Sequence, residues 1–193
     1  QNFWLIDHYP GYIFNFEGAV RYQWAKEYYP TEYERLKNYI KAGRWNISGS
    51  SWDSTDPNIP SPESFFRNLL YGQEFFKKEF GKKSNDIFLP DCFGFGYTLP
   101  TIAAHSGIIG FSTQKLQHRK LPFYGDHKLP FMFGLWEGID GARIMAVPHA
   151  QDYVSRFDGQ ELSNNGKLVD LAKNGLNNTV YHYYGAGDRG GSP

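Results

Sequence analysis

The stretch Asp86–Phe111, DIFLPDCFGFGYTLPTIAAHSGIIGF, decides the fold. Asp86-Ile-Phe-Leu89 is a short apolar run that reads as a strand, Leu99 to Ala104 as a short helix, and Ile108 to Phe111 as the next strand. A helix between two strands is a crossover, so the flanking strands are expected to lie parallel in an α/β fold. One carboxylate, Asp91, stands where the first strand ends, followed by a turn containing Gly94 and Gly96. Active sites of parallel α/β folds gather at the carboxyl ends of strands. Asp91 therefore reads either as a site residue or as a turn-forming Pro-Asp pair.

The same alternation extends in both directions. Tyr12-Ile-Phe-Asn-Phe16 follows a Pro-Gly turn and reads as a strand. Thr31 and Glu34 have capping-box spacing before Tyr33, Leu36, Tyr39 and Ile40, and that helix should stop near Gly43. Trp45-Asn-Ile-Ser48 reads as the next strand. Ser61 should cap a helix with Pro62 at its first position, and Phe65, Phe66, Leu69, Leu70, Phe76 and Phe80 are expected on its buried face. From Phe123 the character changes. FMFGLWEGIDGARIMAV (131–147) reads as two β-rich runs about Gly138–Gly141, more hairpin than crossover. Leu162 to Asn174 predicts a helix, and Thr179 to Tyr184 a final strand.

Composition narrows the function. Lys+Arg and Asp+Glu number 20 each, which gives no field suited to nucleic acid or an anionic membrane. No apolar run approaches the length of a membrane span. One cysteine, Cys92, excludes an internal disulfide framework and a cysteine-based zinc site. With 16 Phe, 14 Tyr and 5 Trp, there are aromatic rings to fill a core and a surplus suited to a cleft that stacks sugar faces. The opening at Gln1, without an initiator methionine, and the close at Pro193 after a strand-like run lead us to expect a piece of a larger protein.

Three groups of residues could carry chemistry. Asp91 and Asp188, at two separate strand ends, match the need of glycoside hydrolysis for two carboxylates facing one cleft. The loop 49–61 offers Trp52, Asp53, Asp56 and Asn58: a sugar-binding set, or a core tryptophan beside solvated acids. Gly185, Gly187 and Gly190 fit G-x-G-x-x-G, but Gly-Ser-Pro follows instead of the helix a dinucleotide would need, so a glycine turn is the alternative. The six histidines show no chelating spacing, and Cys92 has no neighbouring histidine to activate it.

Taken together, GSSWDSTDPNIPSPESFFRNLLYGQEFFKKEFG, IFLPDCFGFGYTLPTIAAHSGIIGFSTQKL and LWEGIDGARI resemble the class II α-mannosidases, glycoside hydrolase family 38. The likeness runs in order through nearly the whole chain. It implies the central part of a single catalytic domain, residues 1–193, cut at both ends, within an incomplete seven-stranded (β/α) barrel of parallel strands. It also implies retaining hydrolysis of α-mannosides, with mannose-containing glycans as partners, assisted by a divalent metal, usually zinc. On that resemblance Asp91 matches the nucleophile, which also lends an oxygen to the metal, and Asp188 the acid/base. Trp52, Asp56 and Asn58 match the W-x-x-x-D-x-N loop beside the sugar, and Lys115 and Tyr124 positions lining the pocket. The family's other metal ligands, a His-x-Asp pair and a further histidine, are expected outside these 193 residues, and FNFEGA departs from the family's pattern at Glu17. A carbohydrate-binding protein without catalysis and a nucleotide-binding oxidoreductase are the alternatives from other classes.

Overall fold

The computed structural model describes residues 1–116, 119–121, 125–127, 129, 131–150, 154–155, 161–173 and 176–186. In chain order the elements are α1 (Asn2–His8), β1 (Phe14–Glu17), α2 (Ala19–Tyr28), α3 (Pro30–Lys41), β2 (Trp45–Ser48), α4 (Pro62–Phe80), β3 (Asp86–Phe88), α5 (Leu99–His105) and β4 (Gly110–Ser112). They continue with β5 (Arg119–Leu121), β6 (Gly125–His127), β7 (Gly134–Glu137), β8 (Arg143–Val147), β9 (Val154–Ser155), α6 (Gly166–Lys173) and β10 (Gly185–Ala186). β1 and β2 pair in parallel, Phe14 opposite Trp45. β3, β4 and β8 also run parallel, Ile87 opposite Phe111 and Phe111 opposite Ala146. β7 closes that sheet antiparallel to β8. The α/β class and the parallel strands expected from the βαβ reading are therefore present, and the 131–147 segment is the expected hairpin.

Local chemistry sets the helices. Ser61 caps α4 by accepting from Ser64 N at 3.2 Å, Pro62 occupies the first turn, and Gly81 ends the helix at φ +70°. Its buried face is Phe65, Leu69, Gly72, Gln73 and Phe76. Phe66 and Leu70 are exposed, contrary to the expected stripe. Each lies one residue, about 100° of helix, beyond Phe65 or Leu69, and so turns away from the sheets. The capping box at Thr31 is not formed. α3 starts at Pro30 with Tyr29 as N-cap and no side-chain capping bond, because proline's fixed φ opens the helix one residue before Thr31. The helix stops where expected, at Gly43 with φ +72°.

Two further expectations shift. β4 begins at Gly110, since Ile109 N and Gly110 N are both spent on Asn85 O at 3.0 and 3.2 Å. Residues 179–184 are not a strand; only Gly185–Ala186 pairs, with β9. Tyr183 is instead anchored singly, its N–H donating to Ala150 O at 2.9 Å and its ring packing edge-on to Phe88 and onto Val147 and Ala150. The ring-rich composition that suggested a strand is satisfied by side-chain burial rather than a ladder.

The β7–β8 turn explains the WEGIDG motif structurally. Asp140 accepts from Thr101 Oγ1 and His105 Nε2, each at 2.7 Å, and thereby clamps the turn to α5. The Thr101 hydroxyl first, then His105, hold its carboxyl down at about 2. A Cβ at Gly138 would sit 2.3 Å from Thr101 Oγ1, so the close approach requires glycine.

Two apolar clusters make the core. One packs Phe65 and Leu69 of α4 and α5 on β3, β4 and β8; the other joins α1, α2, α3 and Phe76 of α4 on β1 and β2. A buried polar seam joins them. Asp86 accepts from Ser48 Oγ (2.5 Å), Gly49 N (3.3 Å) and Ser84 Oγ (2.8 Å). Ser84 is held at both backbone ends by Gln73, whose Nε2 donates to Ser84 O and whose Oε1 accepts from Ser84 N. Hydrogen bonds to a charged acceptor contribute roughly 1.5–3 kcal/mol each, non-additively. Asp86→Ala should therefore lower unfolding free energy by about 3 kcal/mol, and Ser84→Ala, which removes one of these bonds, by about 2 kcal/mol, as measured by urea denaturation.

Candidate active site

The loops that follow β2 and β3 meet. From Ser48 the chain turns through Gly49 (φ +83°) and Ser50 (φ +44°) and lies against α4. Trp52 N donates to Asn68 O at 2.8 Å; Asp53 N donates to Asn68 Oδ1 and Asp53 O accepts from Asn68 Nδ2. This close approach needs Gly72, where a Cβ would fall 2.3 Å from the Ser51 carbonyl carbon. Across the gap, Cys92 Sγ donates to Thr55 O at 3.4 Å, and Asn58 lies over Gly94, where a Cβ would be 2.5 Å from Asn58 Nδ2. The glycine-aromatic turn after Asp91 is thus shaped to admit the 49–61 loop.

Asp91 stands beyond the carboxyl end of β3, its side chain 61% exposed, with Oδ1 2.6 Å from Lys115 Nζ. Lys115, only 22% exposed, follows β4 and is oriented by its own N–H, which donates to Thr113 Oγ1 at 3.2 Å. Its ammonium also lies 5.2 Å from the centre of the Phe93 ring. The accessible carboxylate is consequently braced from behind by a largely buried cation. Asp56 Oδ1 accepts from Asn58 N at 2.8 Å, which curls the loop and presents the Asn58 amide towards the turn carrying Asp91. Trp52 is half-buried and edge-on to Phe75 at 5.8 Å, part of the core that backs the loop. Asp188, Tyr124, Gly187 and Gly190 lie outside the described residues.

Glu17 joins this constellation, although FNFEGA set it aside. It is the last residue of β1, and both its oxygens accept from Ser54 Oγ, at 3.0 and 3.1 Å. Arg21 Nη1 lies 3.3 Å from Glu17 Oε1 and donates to Asp53 Oδ1 at 3.0 Å. Burial pushes the Glu17 carboxyl up, against the opposing pull of Arg21 and Ser54. The sequence held a signal for it: Glu17 is an acid at the end of an apolar run and precedes a glycine, much as Asp91 follows the run of β3 and precedes the turn with Gly94.

Among the described residues, no three His, Cys, Asp or Glu side chains converge to hold a metal. Asp91, with one oxygen on Lys115, is not a metal site by itself; a divalent cation there would need ligands from elsewhere in the protein. His149 Nδ1 donates to Gln114 O at 2.7 Å and His182 Nδ1 to Tyr183 O at 2.5 Å, so each spends a ring nitrogen on backbone.

Cys92 is half-buried against the core and placed as a packing residue, not as an activated nucleophile. Burial first, then the Asp56, Asp91 and Glu17 carboxylates, push its thiol up to about 11. Its reaction with Ellman's reagent at pH 8 should run at least tenfold slower than that of a free cysteine, whose ordinary pKa is about 8.5. Rapid stoichiometric labelling of the folded chain would contradict the geometry.

Comparison with known proteins bears on this site. The profile of the Glycosyl hydrolases family 38 N-terminal domain matches residues 3–193. Alpha-mannosidase G of Dictyostelium discoideum is 43% identical over 192 residues, 97% of this chain and 17% of that protein. Alpha-mannosidase 2C1 of Homo sapiens is 34% identical over 193 residues, 98% and 18%. The alpha-mannosidase of Saccharomyces cerevisiae is 34% identical over 197 residues, 98% and 17%. The chain thus spans 17–18% of the length of these relatives. In fold, it is similar to the crystal structure of an alpha-mannosidase from Enterococcus faecalis V583, with a TM-score of 0.73 at 19% identity over 94% of this chain and 21% of that one. A 4-alpha-glucanotransferase from Thermococcus litoralis gives a TM-score of 0.60 at 14% identity over 75% and 22%. At those identities the likeness concerns the fold alone.

Proposed function

The chain belongs to family 38 of the glycosyl hydrolases, and we propose on that premise that the protein carrying it hydrolyses terminal α-linked mannose from glycans or glycosides. The observation that carries the reading is Asp91: an accessible carboxylate at a parallel strand's end, braced at Oδ1 by Lys115, beneath the 49–61 loop. We further infer that these strands are the central part of one catalytic domain, an incomplete seven-stranded (β/α) barrel. The parallel order of β1–β2 and β3–β4–β8 and the likeness to a mannosidase fold support this.

The reaction is a double displacement. Asp91 Oδ2, the oxygen not braced by Lys115, attacks the anomeric carbon as the bond to the leaving oxygen breaks and Asp188 gives that oxygen its proton. Asp188 then takes a proton from water, whose oxygen displaces Asp91 from the glycosyl ester and releases mannose. Asp56 and Asn58 supply hydrogen bonds to sugar hydroxyls, Trp52 backs their loop, and Lys115 and Tyr124 line the pocket. A divalent cation, zinc by family resemblance, would take one oxygen from Asp91 and its other ligands from beyond the described residues, and would supply Lewis-acid stabilisation of the bound sugar's hydroxyls.

Release of mannose from an aryl α-mannoside by the whole protein tests the activity. Asp91→Asn should cut kcat by more than about 10²-fold, since an amide cannot form the ester, equivalent to about 2.7 kcal/mol of barrier. A smaller loss would remove Asp91 from the nucleophile's role. Asp188→Ala should hurt alkyl mannosides far more than activated aryl ones, because only the poor leaving group needs the proton. Equal losses on both substrates would assign the acid elsewhere.

A further inference from the structure

We propose that Glu17 is a positioning residue for substrate: through Ser54 and Arg21 it fixes the loop segment 53–58 that carries Asp56 and Asn58. The inference rests on the mannosidase reading above and deepens it.

The geometry is a two-sided clamp. On one side Asn68 of α4 holds the backbone of Asp53 at both N–H and C=O. On the other, Glu17 receives the Ser54 hydroxyl on both oxygens, and Arg21 bridges Glu17 to Asp53. Ser54 N donates to Asp53 Oδ1 at 2.9 Å, so the two grips act on adjacent residues. Gly49 makes room: a Cβ there would stand 2.8 Å from Glu17 Cβ. Beyond the clamp the loop is held by contacts that are themselves part of the site, Asp56 on Asn58 N, Thr55 on Cys92 and Asn58 over Gly94. The position of the sugar-facing amide therefore depends on Glu17 across four residues of chain.

A purely structural account is a poor fit. The Glu17 side chain is only 19% exposed, and a carboxylate so placed is costly to keep ionised. Asp53 and Asp86 face it with like charge, and Arg21 is its one cationic neighbour among the groups that shift it. A buried acid with like-charged neighbours adds little to stability compared with an apolar or amide replacement. What it supplies is a doubly accepting end for a serine hydroxyl and a partner for the arginine that also holds Asp53.

The test uses the whole protein with Glu17→Ala, Glu17→Gln, Ser54→Ala and the Glu17→Ala/Ser54→Ala double variant, and an aryl α-mannoside as probe. Glu17→Ala and Ser54→Ala should each raise KM about tenfold with kcat kept within about threefold. The double variant should be no worse than the poorer single one, since both cut the same link. Glu17→Gln, which still offers an acceptor to Ser54, should recover KM to within about threefold of the parent without a fall in melting temperature. Unchanged KM, a parallel loss in kcat, or additive single effects would overturn the inference. Hydrogen exchange at amides 53–58, compared with α4 and β3, gives a readout free of catalysis. Faster exchange confined to 53–58 in Glu17→Ala supports the clamp, and unchanged or uniformly faster exchange refutes it. If the parent protein releases no mannose, the functional reading fails by itself, while the exchange measurement still decides whether Glu17 holds the loop.

Discussion

One carboxylate, Asp86, ties the two parallel ladders together beside α4, the helix that packs on both. β2 and β3 belong to separate ladders, and Asp86 spans them by receiving a hydroxyl and an amide from the end of β2 and a hydroxyl from Ser84 on its own side. Charge-assisted bonds of this kind are short and directional, so they set a relative position that apolar packing alone would leave loose. With Gln73 gripping Ser84 and reaching Ser50, the seam is connected on every side. The loops leaving β2 and β3 start from that fixed junction, and so the 49–61 loop arrives over the turn that holds Asp91.

From the seam outward, order passes from the core to the chemistry in steps. Asn68 and Gly72 on α4 dictate the path of residues 50–53, Glu17 and Arg21 take residues 53 and 54, and Gly94 admits Asn58. Lys115 arrives independently from the end of β4. Asp91 and its neighbours Asn58, Lys115 and Glu17 thus rest on four different strand ends or loops, so a shift of one element disturbs a contact to another.

Much of this was legible in the sequence where a local rule and the tertiary demand agreed. The Ser61 cap, the stop at Gly43, the hairpin at 138–141 and the strand that runs towards Asp91 all follow from short-range chemistry. Failures occurred where something distant decided. Phe66 and Leu70 have the same composition as their buried neighbours, and only the direction of the sheets makes them exposed. Thr31 carries a proper capping pattern that Pro30 pre-empts. Residues 179–184 contain strand-forming rings, yet their partner is the Val147–Ala150 cluster. Glu17 needed Ser54, 37 residues away, to reveal its use. The family likeness points to Asp91 and the 49–61 loop because those positions are motif-bound, and it says nothing of Glu17, where this chain departs from the motif.

Gly72 makes α4 a ruler as well as a wall. Nineteen residues long and pinned at Ser61, the helix brings its one bare position against the Ser50–Ser51 backbone eleven residues after the cap, three turns on. Inserting or deleting one residue between Ser61 and Gly72 would swing a side chain about 100° into that backbone. The spacing between Ser61 and Gly72 is thereby fixed by the backbone that α4 must clear, and the loop over Asp91 inherits that fixed length.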